Sequence, residues 1–465
     1  MRKVVFAICV CLMQFNHASA QRMLGVANSN FDALGSMYIN PAYLAGSYEK
    51  FAINLASVNV AVDNNLGKLA SISDVNKILN GSDSNVLNNL FQINNSGKFS
   101  MMIPSVDIKG PAIMYRINSR HTVALSTRVR VFNELNNFEQ SLFKVVTDPD
   151  YAKTGSLGFN SSKFNWTTSI WSEVGASYGA VIIDEDMYQL KGGFTLKYLL
   201  GAGFIGLKGN NLNVTYRTGS DTVFASNTDM EFSSNAQSAT DAAKSGISAS
   251  NLFSGNTLGK GWGIDAGIIF MHRDLSDKLE ERGYKWLAQL AITDLGSMTY
   301  KGANDVSIKG NGYLTGNGIA DNVKNYEDLK TYALSKGFSV DTGAKDTKVY
   351  LPTALTAGGD YHVYRWFYAN ALLIMNLGST ANFGSLYYSQ ITVTPRFDTK
   401  LITAGLPITY NMLSSSMKVG LGLRIYGLYF GSDDMLGFFG ARPYGVNFYF
   451  GGMIPLYKKP TKRKY

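Results

Sequence analysis

A period of two in residue polarity is the feature of this chain that most constrains its fold. Residues 121–131 read HTVALSTRVRV, so that Val123 and Leu125 fall on one face of an extended segment while Ser126 and Arg128 fall on the other. Such alternation is typical of a β-strand with one apolar face. Similar segments recur as far as the C-terminus, and none is long and apolar enough for a membrane-spanning helix. The pattern predicts an all-β chain, namely a transmembrane antiparallel β-barrel.

The first 20 residues are organised like a secretory signal peptide. Arg2 and Lys3 give it a positive start, an apolar run follows, and residues 18–20 (ASA) fit the small-residue pattern of a cleavage site. Both cysteines, Cys9 and Cys11, lie inside this leader, so the exported chain is expected to use no disulfide, thiolate metal site or cysteine nucleophile. We therefore predict residues 1–20 to be a signal peptide and the bacterial outer membrane to be the destination.

The composition favours a lipid environment over a nucleic-acid partner. A formal net charge of +9 over 465 residues is mild. Contact with anionic lipopolysaccharide headgroups explains it without a nucleic-acid partner. The 27 tyrosines, 26 phenylalanines and 47 glycines, against 17% charged residues, are typical of barrels with aromatic girdles. We expect outer-membrane lipid and lipopolysaccharide as surroundings, and no nucleic acid.

Thirteen segments alternate well enough to be strands. They lie at approximately 51–62, 106–117, 122–132, 164–182, 188–200, 262–272, 286–294, 349–363, 366–376, 386–397, 400–411, 417–430 and 444–456. Bacterial barrels normally have an even strand number, so either one strand is missed, with 211–218 the best candidate, or two are merged. We predict about fourteen strands, with twelve as the alternative. A soluble sandwich or propeller competes with this fold, but no repeat of a propeller blade is present.

The connections between these segments alternate between short and long. Tight turns are expected at 118–120, 184–186, 364–365 and 398–399, and long polar loops at 63–105, 133–163, 201–261 and 301–348. Short turns belong on the periplasmic side and long loops outside the cell. Within the loops, helical spacing predicts short helices, including one at 326–337. Gly110-Pro111 and Pro352 predict kinks or bulges, one of which could open a gap in the wall.

A plug-like segment precedes the first strand. Residues 24–46 (LGVANSNFDALGSMYINPAYLAG) combine small, turn-forming residues with apolar side chains and contain the motif Asn40-Pro41-Ala42. We predict a hatch at 21–48, a barrel at 49–457 and a short basic tail at 458–465. On this motif and its position, the chain resembles the FadL-type long-chain fatty acid transporters and their relatives, including the PorV-like barrels of the type IX secretion system.

Further segments carry a closer resemblance that covers nearly the whole exported chain. Five segments resemble an uncharacterised Bacteroidota family of FadL-like barrels classed only as a domain of unknown function, namely GWGIDAGIIF (261–270), ITDLGSMTY (292–300), LPTALTAGGDY (351–361), TPRFDTKLITAGLPITY (394–410) and GLRIYGLYFGSDDMLG (422–437). The resemblance implies passive uptake of hydrophobic small molecules, with a hydrophobic ligand. The alternative is a non-transporting accessory or adaptor barrel that binds a protein partner in an outer-membrane or secretion complex.

The sequence offers little support for catalysis. His121, His272 and His362 fall at strand ends, and no two histidines have the spacing of metal ligands. No segment resembles a nucleophile motif. We predict that the chain is not an enzyme and has no catalytic residues, metal site or cofactor.

Charged residues on the strand faces opposite the apolar ones are predicted to point into the barrel lumen. They are Arg128, Arg130, Glu173, Lys197, Asp265 and Arg424. A charge on the lipid face would cost about 2–4 kcal/mol at the bilayer midplane, so an inward position follows from stability alone. Two roles stay open, interior salt bridges that stiffen the barrel or the lining of a substrate path.

Overall fold

The computed structural model describes residues 23–70, 91–94, 97–141, 157–216, 222–235, 258–273, 283–315 and 326–457. The predicted signal peptide and the basic tail lie outside these residues. The strands are β1 Glu49–Asn64, β2 Gly67–Leu69, β3 Phe91–Ile93, β4 Lys98–Arg116, β5 His121–Glu139, β6 Leu157–Asp184, β7 Tyr188–Tyr216, β8 Thr222–Ser234, β9 Gly259–Arg273, β10 Tyr284–Thr315, β11 Ser339–Tyr350, β12 Ala354–Tyr364, β13 Phe367–Asn376, β14 Gln390–Asp398, β15 Ile402–Gly405, β16 Ile408–Asn411, β17 Ser416–Val419, β18 Leu421–Ile425, β19 Leu428–Ser432 and β20 Gly445–Tyr457. The helices are α1 Ala33–Ser36, α2 Tyr326–Ser335 and two 3-10 helices, Pro41–Leu44 and Leu436–Phe439.

Most of the strands form one closed antiparallel ring, because β1 pairs with both β4 and β20. Four wall strands are each made of two consecutive elements that pair with the same neighbour, namely β8 with β9, β11 with β12, β15 with β16 and β17 with β18. Counted in this way, the ring has 14 strands, with β2 and β3 forming a separate two-stranded sheet. The predicted fold class is confirmed. Among the described residues, no helix has the length and apolar character needed to cross a membrane.

The fourteenth strand is not the segment around 211–218. That segment is the end of β7, whereas the predicted strand 417–430 contains two wall strands, β17/β18 and β19. They are joined by a tight turn at Tyr426 and Gly427, and the left-handed backbone of Tyr426 (φ 55°) allows the reversal. Two strands were therefore merged in the sequence pattern because a two-residue turn leaves the alternation uninterrupted.

The two ends of the barrel differ in their connections. One end carries the tight turns after β4, β6, β12, β14 and β18, together with the start of β1 and the end of β20. The other end carries the long connections. Short turns mark the periplasmic end of outer-membrane barrels. The first strand therefore begins, and the last strand ends, on the periplasmic side.

The polarity of the wall is the inverse of that in a water-soluble protein. Leu125, Phe194 and Trp262 are exposed on the outside, whereas Arg130 and Glu173 are buried inside. An outward apolar surface of this kind requires lipid around it. The chain is an integral barrel of the outer membrane.

Aromatic pairs mark the height of the membrane on β7. Tyr188 stacks on Phe270 of β9 with ring centroids 6.2 Å apart, and Tyr198 contacts Trp262 at 4.9 Å. A barrel strand crosses the hydrocarbon layer in roughly 9–11 residues, which matches the interval from 188 to 198. The remainder of β7 therefore extends beyond the membrane.

Much of what the sequence indicated as long loops is strand. β6, β7 and β10 are 28, 29 and 32 residues long and, with β8 and β11, form a sheet above the membrane. Its outward face meets water instead of lipid, while Val306 and Ile308 are buried on the other face, so the apolar alternation weakens although the ladder continues. Ala333 of α2 packs in a small core with Ala225, Val306 and Phe338 of this extension. The helix predicted at 326–337 is confirmed by α2.

The proline positions interrupt the wall only locally. Gly110 and Pro111 form a bulge in β4, where the register with β5 shifts between Lys109 and Ala112. The hydroxyl of Thr127 donates to the carbonyl oxygen of Pro111 at 3.0 Å and bridges the bulge. Pro352 lies in the break between β11 and β12. Next to it the Leu351 amide donates to the carbonyl oxygen of Gly296 in β10 at 3.0 Å.

Candidate functional site: a lumen closed from both ends

The hatch folds inside the periplasmic half of the ring, and most of residues 23–48 are buried. The motif Asn40-Pro41-Ala42 begins its 3-10 helix. The Asn40 side chain accepts a hydrogen bond from the Ala42 amide at 3.0 Å, and Pro41 occupies the first helical position. Asparagine as the cap and proline at the first position are the preferred choices at a helix start.

The same asparagine joins the hatch to the wall. Its Nδ2 donates to the carbonyl oxygen of Ile268 at 3.1 Å and lies 3.4 Å from Oε1 of Gln289. Two wall glycines allow this approach. A Cβ on Gly267 would come within 2.2 Å of the Asn40 side chain, and one on Gly193 within 2.4 Å of the Pro41 backbone. The motif therefore fixes the hatch by direct contact with β7 and β9.

A second contact region holds the start of the hatch. The hydroxyl of Ser29 and the amide of Asn30 donate to the two carboxylate oxygens of Asp398 at 2.9 and 2.8 Å. Arg424 donates to Thr403 Oγ1 at 2.6 Å and to Ser29 Oγ at 3.4 Å. Arg424 is thus buried inside the barrel as a hatch contact, separate from the other charged residues predicted to face the lumen.

A second segment enters the lumen from the extracellular end. Residues 377–389, here named the crossing segment, leave the wall between β13 and β14 and reach β5 and β6. The amide of Leu386 donates to Glu134 Oε2 at 2.9 Å, and the hydroxyls of Ser385 and Ser169 are 3.4 Å apart. The predicted strand 386–397 begins too early, because β14 starts at Gln390 and the four preceding residues belong to this segment.

The hatch and the crossing segment meet in an apolar cluster near the middle of the lumen. Leu24, Ala27 and Ile39 of the hatch share this cluster with Phe383 and Tyr387 of the crossing segment. The wall completes it with Met102, Phe132, Trp171, Leu199, Phe204, Met298, Tyr300, Ala303, Val349, Leu351, Ala354, Leu372 and Ile374. The two segments together close the lumen.

Beside this cluster lies a buried charged network. Arg128 makes a bidentate contact with Asp107, at 2.6 and 2.8 Å. Arg130 Nη1 is 3.0 Å from both Glu173 Oε1 and Asp294 Oδ1. The network continues to Lys197, whose Nζ is 2.6 Å from Asp294 Oδ1 and 2.8 Å from Asp265 Oδ1. Lys109, 3.9 Å from Asp107, is the outermost member.

The charges of this network balance. Its cationic members are Lys109, Arg128, Arg130 and Lys197, and its anionic members are Asp107, Glu173, Asp265 and Asp294. Tyr38 of the hatch lies over it, with its ring centroid 4.7 Å from the Lys109 ammonium and 5.2 Å from the Arg128 guanidinium. Buried charges are tolerated when they are paired in this way.

Five of the six charged residues predicted to face the lumen meet in this network, and they are Arg128, Arg130, Glu173, Lys197 and Asp265. Their partners Asp107 and Asp294 escaped the sequence analysis, although both are acids inside segments with strand alternation. The sequence did not indicate Tyr387 as a lumen residue either. Its neighbours continue the alternation of β14, so the pattern does not show that the chain leaves the wall there.

A cavity of about 10 Å³ lies between Tyr38 of the hatch and Arg128, Glu173, Lys197 and Asp265. Such a volume is about what one water molecule needs. In this conformation no ligand fits at that point, and passage requires the hatch or the crossing segment to move.

Three of the four histidines lie in the described residues, and each contacts neighbouring groups near the periplasmic end. His121 bonds to the Tyr178 hydroxyl at 2.7 Å, His272 stacks on Trp286 with centroids 5.6 Å apart, and His362 bonds to the Arg365 carbonyl at 2.8 Å. Within the described ranges, no three His, Cys, Asp or Glu residues are arranged to hold a metal ion. That the chain is not an enzyme stays a prediction.

Comparisons with known proteins give one family and a set of solved barrels. Residues 41–433 match the family described as "Family of unknown function (DUF5723)". No curated protein matches the chain.

Three of the solved structures are similar to this chain at low identity. The toluene transporter TodX of Pseudomonas putida has 9% identity and a TM-score of 0.41, covering 91% of this chain and 94% of that one. TbuX, the toluene transporter of Ralstonia pickettii, has 10% identity and a TM-score of 0.40, covering 91% of this chain and 94% of that one. A FadL homologue of Pseudomonas aeruginosa has 11% identity and a TM-score of 0.29, with the same coverage of both chains. At TM-scores below 0.5, none of these similarities bears on what this chain does.

Proposed function

The chain belongs to the family of unknown function DUF5723, and we propose that it is a FadL-like barrel that admits hydrophobic small molecules passively through the outer membrane. Membership confirms the family of unknown function that the sequence motifs indicated. A PorV-like role and a Bacteroidota origin stay predictions.

The observation that carries this proposal is the apolar surface where the two closing segments meet. Phe132, Trp171, Phe204 and Leu372 line the wall at that height. A porin for polar solutes has a polar, water-filled interior. Here a solute that passes after the segments move would contact aromatic and aliphatic side chains, and burial of its own apolar surface would compensate for leaving the lipid.

The closing segments are held by contacts that can open and reform. The hatch is joined to the wall by hydrogen bonds from Asn40 to Ile268 and from Ser29 to Asp398. The crossing segment is joined to the wall by a bond from Leu386 to Glu134 and by the contact between Ser385 and Ser169. The bonds between neutral groups contribute about 0.5–1.5 kcal/mol each, and those to Asp398 and Glu134 about 1.5–3 kcal/mol. Movement of either segment breaks these bonds and the apolar contacts of its own residues, but it leaves the hydrogen-bond ladders of the ring in place.

A reversible lock on the crossing segment tests the proposal. The exported chain is expected to lack cysteine, and the Ser169 and Ser385 hydroxyls, 3.4 Å apart, are close enough for a disulfide after a small adjustment in the variant S169C/S385C. The assay follows the fluorescent apolar probe N-phenyl-1-naphthylamine as it enters intact host cells whose lipopolysaccharide otherwise excludes it. We expect uptake above that of cells without the barrel, its loss on oxidation of the double variant, and its return on reduction.

The single variants S169C and S385C are the matched controls, and neither should respond to oxidant or reductant. Wild-type uptake equal to that of cells without the barrel would refute the transport function. Equal uptake by the oxidised and reduced double variant would show that apolar solutes do not pass the crossing segment.

The extracellular sheet favours a second candidate, an accessory barrel that binds a protein partner. β7 and β10 extend well beyond the membrane and enclose the small core around Ala225, Val306 and Phe338. A pore does not need such a platform, whereas a docking protein does. Purification from native outer membrane in mild detergent distinguishes the candidates, because a stoichiometric protein partner without an enriched hydrophobic compound would favour the adaptor.

A further inference from the structure

Tyr387 occupies the inner site of the barrel as a bound ligand would. Its ring is in edge-to-face contact with Phe132, with centroids 6.0 Å apart, and its centroid lies 5.7 Å from the Arg130 guanidinium. Its hydroxyl accepts a hydrogen bond from Arg130 Nη2 and donates to Asp294 Oδ2 at 3.5 Å. The residue reaches this position only because the crossing segment brings it there from the opposite wall.

From this arrangement we propose that the site beside Arg130 and Asp294 binds small phenolic compounds, and that Tyr387 occupies it until such a compound displaces the crossing segment. The inference rests on the proposed uptake function and specifies one ligand class for it. The site combines a ring partner, a donor and an acceptor within the span of one phenol.

The charge balance of the network selects a neutral hydroxyl over a carboxylate. Four cations and four anions already neutralise one another around Arg130 and Asp294. A carboxylate would add a buried charge without a partner and would face the carboxylates of Asp294 and Glu173. A phenol adds no charge and can both accept from Arg130 and donate to Asp294.

The rest of the site matches a single aromatic ring. Trp171 stacks on Phe132 with centroids 5.5 Å apart and gives its indole N–H to Glu173 at 2.8 Å. These two contacts hold Phe132 and Glu173 in position whether or not Tyr387 is present. A ring without a hydroxyl would leave the Arg130 and Asp294 groups that face Tyr387 unpaired, which costs binding free energy.

Removal of the tyrosine side chain gives the direct test. The variant Y387A should bind p-cresol, which reproduces the tyrosine side chain, at least roughly tenfold more tightly than toluene, which lacks the hydroxyl. Benzoate should not bind. The readouts are calorimetric titration of the detergent-purified barrel and the temperature at which it unfolds, which p-cresol should raise.

Y388A is the matched control. Tyr388 is the next residue of the same segment and packs against the same apolar cluster. Among the described residues, its buried hydroxyl has no hydrogen-bond partner. Its removal deletes the same atoms without opening the site beside Arg130, so Y388A should show no preference for p-cresol over toluene. The same affinity for both compounds in Y387A would overturn the proposal.

A second measurement keeps Tyr387 in place and decides the question if Y387A does not fold. The side chain of Ser385 is buried, so a cysteine in the variant S385C should react slowly with maleimide. Saturating p-cresol should displace the crossing segment and raise the labelling rate severalfold above the rate measured with toluene. An unchanged rate with p-cresol would overturn the proposal. If N-phenyl-1-naphthylamine still enters cells in that case, the uptake function stands and only the phenol site is refuted. If p-cresol binds but the probe does not enter cells, the phenol site stands and the uptake function is refuted.

Discussion

Asn40 donates its side-chain amide to the carbonyl oxygen of Ile268 at 3.1 Å, across 228 positions of sequence. The same side chain caps the 3-10 helix through its oxygen, which accepts from the Ala42 amide. One residue thus shapes the hatch and fastens it to β9, and the two roles can be separated by substitution.

We expect Asn40→Ala to loosen the hatch more than loss of a cap alone, which costs about 1 kcal/mol, because the contact with Ile268 is lost as well. Asn40→Asp keeps the cap but removes the donor and places a carboxylate near carbonyl oxygens. Protease cleavage of the hatch in the purified barrel should therefore increase in both variants. Cleavage of Asn40→Asp at the wild-type rate would show that the wall contact is dispensable.

Gly193→Ala should displace the hatch, because its methyl group would lie 2.4 Å from the Pro41 backbone, which cannot yield as a flexible side chain can. Overpacking of this kind costs about 1–3 kcal/mol. The unfolding temperature should fall and uptake of the apolar probe should rise. Gly343→Ala is the control, since a Cβ there would have no heavy atom of the described part of the chain within 4 Å. Equal behaviour of the two variants would contradict the proposed contact.

Arg128→Met should cost about 3–5 kcal/mol of stability, because it leaves Asp107 charged and buried without its bidentate partner. The double variant Asp107→Leu/Arg128→Met removes both charges and should recover most of the loss. Urea unfolding in lipid vesicles, followed by tryptophan fluorescence, gives both values. A double variant as unstable as the single one would show that the pair does more than neutralise charge.

Asp434 should make the barrel less stable as the pH rises. It lies in the connection after β19, where burial raises its pKa to about 7 from an ordinary value of 3.8. Lys418 opposes this shift, and the charges of Asp63 and Asp433 add to it. A raised pKa means that the folded state favours the protonated carboxyl, so this stabilisation is complete below about pH 4 and is lost as the pH rises through 7. Burial raises the pKa of Asp433 to about 6, with the same sign.

Asp434→Asn fixes a neutral side chain and should raise the unfolding temperature at pH 8 while changing it little at pH 4. Asp341→Asn, at an exposed position of β11, serves as the control. If the gain of Asp434→Asn were the same at both pH values, titration of this carboxyl would not be its cause.

The membrane wall could be predicted because lipid on one side and a packed lumen on the other impose a strict period of two. The same reason explains the errors. Above the membrane the outward faces of β7 and β10 meet water instead of lipid, so polar residues replace the apolar ones there and the extensions looked like loops. At Tyr426 the chain reverses within two residues, and nothing in the alternation shows it.

The site was predicted in part. Inward alternation located Arg128, Arg130, Glu173, Lys197 and Asp265, but pairing with Asp107 and Asp294 depends on which strands are neighbours in space and on their register. The position of Tyr387 depends on a segment that leaves the wall after β13. Alternation describes a face of one strand and carries no information about a segment that crosses between opposite walls.

The ring closes where the first strand meets the last, along the register from Glu49 with Tyr457 to Asp63 with Gly445. The hatch is the segment immediately before that first strand, and it contacts walls as far apart as β7 and β18. A ring that closed with the hatch outside would keep only the crossing segment in its lumen, and the buried Asp398 and Arg424 would lose their contacts with Ser29.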